Sequence, residues 1–138
     1  MRGMGLVEVL VAVVILSLGL LGLAGLQAAS LRASQGSLYR AQATTLASDL
    51  AERMRTNLGE ARNYTLDLGE DAPGGNHVRA QDLADWLARV RTLPGGQGAV
   101  VVDAGAKLVT ITVQWDDSRA GGPADARHTL ETRLWNNN

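Results

Sequence analysis

The stretch Arg2-Gly3-Met4-Gly5-Leu6-Val7-Glu8-Val9-Leu10-Val11-Ala12-Val13-Val14-Ile15-Leu16 decides how the rest of the chain is read. From Met4 to Leu26 the only polar side chains are Glu8 and Ser17. A helix over that run is about 34 Å long at about 1.5 Å per residue, enough to cross a hydrocarbon core of about 30 Å. The run is a membrane span first, whatever else it does. Glu8 is its anomaly, because a charge inside an apolar helix costs several kcal/mol or more and such residues have a partner or a function. One reading puts Glu8 at the end of the span, reaching the headgroup layer, although glutamate is short for that task. The sharper reading has it await a positive charge. A cut after Gly3 would create an amine on Met4, and a neighbouring copy could offer that amine to Glu8. A carboxylate left alone in a low-dielectric setting is costly, so such a pair selects one assembly register over others.

A glycine, a hydrophobic residue and a glutamate five residues after the glycine, followed by Val-Leu-Val-Ala, resemble the class III leader of type IV pilins. The resemblance implies that a prepilin peptidase cuts between Gly3 and Met4, that the new amine of Met4 is methylated, and that Glu8 is the assembly glutamate. Two positions depart from the usual pattern: Met4 stands where phenylalanine is common, and Gly5 where threonine or serine is common. The leader is short, with Arg2 as its only basic side chain. A basic residue on the short side favours a cytoplasmic N-terminus and places the bulk of the chain outside the inner membrane. Two rival readings of the same stretch are an ordinary secretory signal, with Ala28 and Ser30 as small residues before a cut, and a plain signal anchor. The run is longer than a normal signal core and contains Glu8, which argues against the first.

The sequence has 138 residues and a formal net charge of −1. The part after the span suits one small domain, and no overall field draws it to nucleic acid. There is no cysteine, which excludes disulfides and thiol catalysis, and no phenylalanine, so a core must rest on Leu, Val, Ala and the three tryptophans. The organisation read from the sequence is a leader over 1–3, a transmembrane and filament-core helix over 4–26, and a periplasmic head over 27–138 that includes the second half of the helix.

Gly19, Gly22 and Gly25 lie in the span. They suit either tolerance within lipid or a segment that bends when the subunit leaves the membrane. From Gln27 the composition turns amphipathic without a break. Leu31, Leu38, Leu46, Leu50, Met54 and Leu58, widened by Ala43, Ala47 and Ala51, form one helical face. One helix is expected from about Gly5 to Asn57, stopped by Asn57-Leu58-Gly59. The segment Glu52-Arg53-Met54-Arg55-Thr56-Asn57 resembles the corresponding segment of PilV-type minor pilins. Glu52 and Arg55 can pair at a spacing of three, and the charges of this stretch otherwise read as a solvated helix face.

Residues 59–80 read as a loop, pinned by Tyr64 and by Leu66 or Leu68; its acids lack the spacing of a calcium loop. Asp82 is expected to cap a short helix with Leu83, Trp86, Leu87 and Val90 on one face, ended by Leu93-Pro94-Gly95-Gly96. Three strands are expected: 99–103, 108–115 and 128–135. In the second, Val109, Ile111, Val113 and Trp115 share a face. In the third, Leu130 and Leu134 point inward. The result is an antiparallel meander whose apolar face the helix stripe can cover. The fold class is therefore α+β: a long N-terminal helix packed on a small antiparallel sheet of about three to four strands, with one short extra helix; the resemblance implies that this is the type IV pilin fold.

No pattern calls for catalysis. His77 and His128 are isolated, and nucleotide-binding and nucleophile motifs are absent. Asp116 and Asp117 are neighbours at a strand end, point to opposite faces, and read as a solvated turn. No cofactor or metal is expected. The resemblance implies a minor pilin that primes or modifies type IV pilus assembly in a tip complex. The partners it implies are other minor pilins, the major pilin, the prepilin peptidase, the inner-membrane assembly platform and a PilY-type tip adhesin. Two alternatives share parts of this reading. One is a minor pseudopilin of a type II secretion system, which has the same leader and helix. The other is a tip module binding DNA or a surface ligand through Arg53, Arg55 and Arg62 in a salt-dependent manner.

Overall fold

The computed structural model describes residues 5–134. Helix α1 runs Leu6–Thr56 without interruption, about 75 Å at about 1.5 Å per residue. Its bounds lie within one residue of those expected. It begins at Gly5, where no side chain caps it, and ends at Asn57, whose N–H reaches the carbonyls of Arg53 and Met54 at 3.2 Å each. Gly59 does not take the left-handed conformation of a glycine cap; instead Asn57 Nδ2 donates to Tyr64 Oη at 3.0 Å.

The second helix, α2, spans Val78–Val90 and has its N-cap at His77, five residues before the expected cap at Asp82. Ala80 and Gln81 donate their N–H groups to the His77 carbonyl, and Arg79 reaches the Asn63 carbonyl at 2.8 Å. These bonds hold the first turn without a side-chain cap. Asp82 thus lies inside the helix, free to bond elsewhere. The expected face is buried as read: Leu83, Trp86, Leu87 and Val90, extended backwards by Ala80.

Three strands follow: β1 Gln97–Asp103, β2 Leu108–Trp115 and β3 Ala126–Arg133. They form an antiparallel meander in the order β1-β2-β3, with Val100 opposite Ile111 and Ile111 opposite Leu130. Asp103 closes the first turn by accepting the Ala106 N–H at 2.9 Å. The loop before α2 adds a single antiparallel bridge, Leu66 to Val100, in place of a fourth strand. β3 starts two residues earlier than expected. Leu134 is buried just past its end, while Trp135 lies outside the described residues.

The strict alternation of β2 places Val109, Ile111, Val113 and Trp115 in the core. They meet Ala43, Leu46, Ala47, Leu50, Ala51 and Met54 of α1 and the apolar face of α2. Small and large residues alternate along α1, so the sheet approaches the helix closely. Trp86 fills the centre, and its indole donates to the Leu46 carbonyl at 2.9 Å. Gly98 makes room for it: a Cβ there would stand 2.5 Å from the indole ring. Tyr64 and Leu66 pin the connecting loop as expected, whereas Leu68 is exposed.

Two expectations are corrected. The covered face of α1 begins at Gly36; Leu31 and Leu38 are 68% and 55% exposed, because at about 100° per residue they point about 140–160° away from Gly36 and Met54, on the side of α1 opposite the head, which reaches Gly36 through Ala120. Asp117 is not in a solvated turn. It is 3% exposed and lies against Gly36 of α1, whose Cβ would stand 3.5 Å from both carboxylate oxygens. Its carbonyl accepts the N–H groups of Ala120 and Gly122, which closes the loop after β2. The side chain turns inward because Gly36 and Gly122 leave space that any Cβ at 122 would fill, at 2.4 Å from Oδ2.

Candidate assembly interface

Among the described residues nothing covers the first half of α1. Leu6, Leu10, Ile15, Leu18, Leu21 and Leu26 are all more than half exposed, and the helix is long and apolar enough to cross a membrane. Ser17, the polar side chain in mid-span, donates its hydroxyl to the Val13 carbonyl at 2.7 Å, so it carries no unmet donor into lipid. Gly19, Gly22 and Gly25 are helical, with open space where a Cβ would be; packing within the chain does not explain them. Glu8 stands exposed in the first turn. Among the described residues no cation reaches it, so any charge partner comes from outside this part of the chain. Gly3 and Met4 lie outside the described residues.

The charges near the end of α1 do more than solvate a face. Arg53 bonds Asp49 at 3.0 Å and Asp82 at 3.3 Å, with Asp85 at 3.9 Å. Arg89 of α2 returns to Asp49 at 2.8 Å. Tyr64 donates its hydroxyl to Asp82 at 2.6 Å. This ladder ties α1, α2 and the loop between them. Burial pulls the Arg53 guanidinium down, but the Asp49 charge and the bonds to Asp49 and Asp82 outweigh it and raise it. Arg55 pairs with Glu52 as the spacing predicted, and also reaches Thr132 on β3 at 2.9 Å. Arg53 and Arg55 are therefore engaged in holding the head together. The sequence does not announce the ladder, because Asp82 there reads as a cap; the pattern Asp82, Asp85, Arg89 on one flank of α2 is the available signal.

Burial, then the bond to Asp82, pushes the Tyr64 phenol up to about 12. The folded state thus holds this proton more tightly than the unfolded chain, whose tyrosine titrates near about 10. The resulting stability is present below about pH 10 and lost as pH rises towards about 12. Tyr64→Phe is expected to cost about 1–2 kcal/mol at neutral pH through the lost hydrogen bond. It should also flatten the fall in stability above about pH 10. Urea unfolding of both proteins across the alkaline range checks this; parallel curves would count against it.

His77 sits beside Arg79, while His128 lies on β3, opposite Val113. Among the described residues no cluster of His, Cys, Asp or Glu is suited to a metal.

A continuous helix whose apolar first half is uncovered, and whose second half packs on a three-stranded antiparallel meander with one further short helix, is the type IV pilin fold. In agreement, the family model described as Tt1218-like, type IV pilin Tt1218, matches residues 25–86. The chain is similar to that family from the end of the apolar run to Trp86, a stretch that includes Asp49, Arg53, Tyr64, Asp82 and Asp85 of the ladder but not Arg89. No curated protein and no solved structure matches the chain.

Proposed function

We propose that the chain is a minor pilin, most similar to the PilV type, that primes or modifies type IV pilus assembly within a tip complex. The observation that carries this is the two-faced α1. One face of its second half is buried by the head, whereas its first half offers an apolar surface that none of the described residues covers. Lipid covers it while the subunit waits in the inner membrane, head in the periplasm. After extraction, only the corresponding helices of other subunits can bury it, at roughly 25 cal/mol per Å² of apolar surface. Cleavage after Gly3 and methylation of Met4 would prepare the end of that helix. Glu8 would then fix its register by taking the amine of a neighbour. Other minor pilins and the major pilin are the partners of the helix. The prepilin peptidase and the assembly platform act before assembly, and a PilY-type adhesin is carried at the tip. Surface attachment and twitching are the processes served.

Fractionation tests the reading. The chain should appear in sheared filaments at far below the amount of the major subunit, with immunogold label at filament ends. Uniform label along the shaft would exclude a tip role. Confinement to the membrane, together with a block in protein secretion on deletion, would favour the pseudopilin alternative.

A further inference from the structure

A cleft of about 490 Å³ opens between α1 and the start of β3, lined by Arg40, Thr44, Trp115, Ala126, Arg127 and His128. Its polar lining is rich in donors. Trp115 is 2% exposed, and its indole Nε1 has no hydrogen-bond partner. His128 Nε2 is also buried and unpartnered. The Arg40 guanidinium has no ion-pair or hydrogen-bond partner among the described residues. Arg127 holds only a long, exposed contact with Asp125 at 3.5 Å. Among the described residues no acidic side chain lines the cleft. Asp117 lines the adjoining one, on the other side of Arg40, and forms no ion pair with Arg40 within 4 Å. A buried indole N–H left unpaired costs roughly 1–3 kcal/mol, so the site is incomplete without an acceptor.

We infer that this cleft is a docking site for a carboxylate side chain of a neighbouring subunit of different sequence. The inference rests on the filament reading above, since it needs a neighbour at this height. Lipid does not supply the anion: Arg40 lies fourteen positions beyond Leu26, about 21 Å further along the helix and past the headgroup layer of the span. A second copy is a poor match, because many of this chain's carboxylates already hold a partner: Asp49, Glu52, Asp71 and Asp82 are bonded to arginines. An incoming carboxylate would accept from Arg40, from the Trp115 indole and from His128, and charge-assisted bonds of this kind set orientation as well as affinity.

Photo-crosslinking of the full-length chain in cells tests this, with benzoylphenylalanine in place of Ala124 at the rim. The expected result is an adduct to another pilus subunit whose cross-linked peptide contains Asp or Glu. Arg40→Glu should lower its yield by about tenfold or more, and reversal of the partner's acid to Lys should restore it. Tryptophan emission of Arg40→Glu serves as the folding control, and Arg40→Gln repeats the test without charge reversal. An adduct formed only with a second copy, or a yield unchanged by both Arg40 variants, would overturn the inference. Absence of any adduct while the chain still enters sheared filaments would overturn it and leave the filament reading standing. A chain that is neither cut nor found in filaments would remove both.

Discussion

Trp86→Ala should cost the head about 3–5 kcal/mol, the range for emptying a large aromatic site in a packed core. Trp86 is fully buried among Leu46, Leu87 and β1, and its ring occupies the space that Gly98 leaves open. Neither neighbour can refill that space: Gly98 has no side chain, and Leu46 is held in the middle of α1. The loss is a large share of the roughly 5–15 kcal/mol that holds an ordinary domain together. Urea unfolding of the detergent-solubilised full chain, followed by the emission of Trp115 and Trp135, measures it. Trp86→Phe should fall between, keeping most of the apolar volume but leaving out the bond to the Leu46 carbonyl. A change below about 1 kcal/mol in Trp86→Ala would mean that the two helices and the sheet do not share this core.

The second large effect is functional. Glu8→Leu is expected to leave the head as stable as before and the span at least as firmly in the membrane, since a charge in the apolar run opposes insertion by a few kcal/mol. Incorporation into filaments should nonetheless fall by about tenfold or more, the scale set by a desolvated ion pair. Among the described residues nothing pairs with Glu8, and Leu6, Val7, Val9 and Leu10 around it are exposed apolar surface. On the filament reading the carboxylate is a cost to the isolated subunit in the membrane that a neighbour's amine would offset. Comparison of sheared and membrane fractions by immunoblot reads the effect. If the leucine variant assembles like the parent, Glu8 does not set the register and the headgroup reading of this residue stands.

The parts of the fold governed by periodicity were legible in the sequence. The bounds of α1 and β2 and the buried faces of α2 and β2 follow from spacing alone, because each element has one apolar side and one neighbour to bury it. Spacing read over a long helix hides its drift. Leu31 and Leu38 sit about 140–160° round α1 from Gly36 and Met54, so they are open surface while Gly36, at the same height, is covered. Asp82 and Asp117 were misread for a different reason. Aspartate next to a helix or strand end usually caps or solvates it, but the partners that decide these two, Tyr64 and Arg53 in one case and Gly36 in the other, are distant in sequence. The unpartnered Trp115 and His128 nitrogens were equally hidden, because only the assembled α1 and β3 enclose them. The leader and Glu8 present the opposite case: their meaning rests on a short motif at one end of the chain.

The most direct test of the filament-subunit account is therefore at that end: the intact mass of the protein extracted from membranes, for the parent and for Gly3→Ala. The account predicts a parent that has lost Met1, Arg2 and Gly3 and gained one methyl group, and a variant that keeps all three residues. An uncut parent would make the chain a plain signal anchor, and a cut near Ser30 would make it a secreted periplasmic protein; either result contradicts the account.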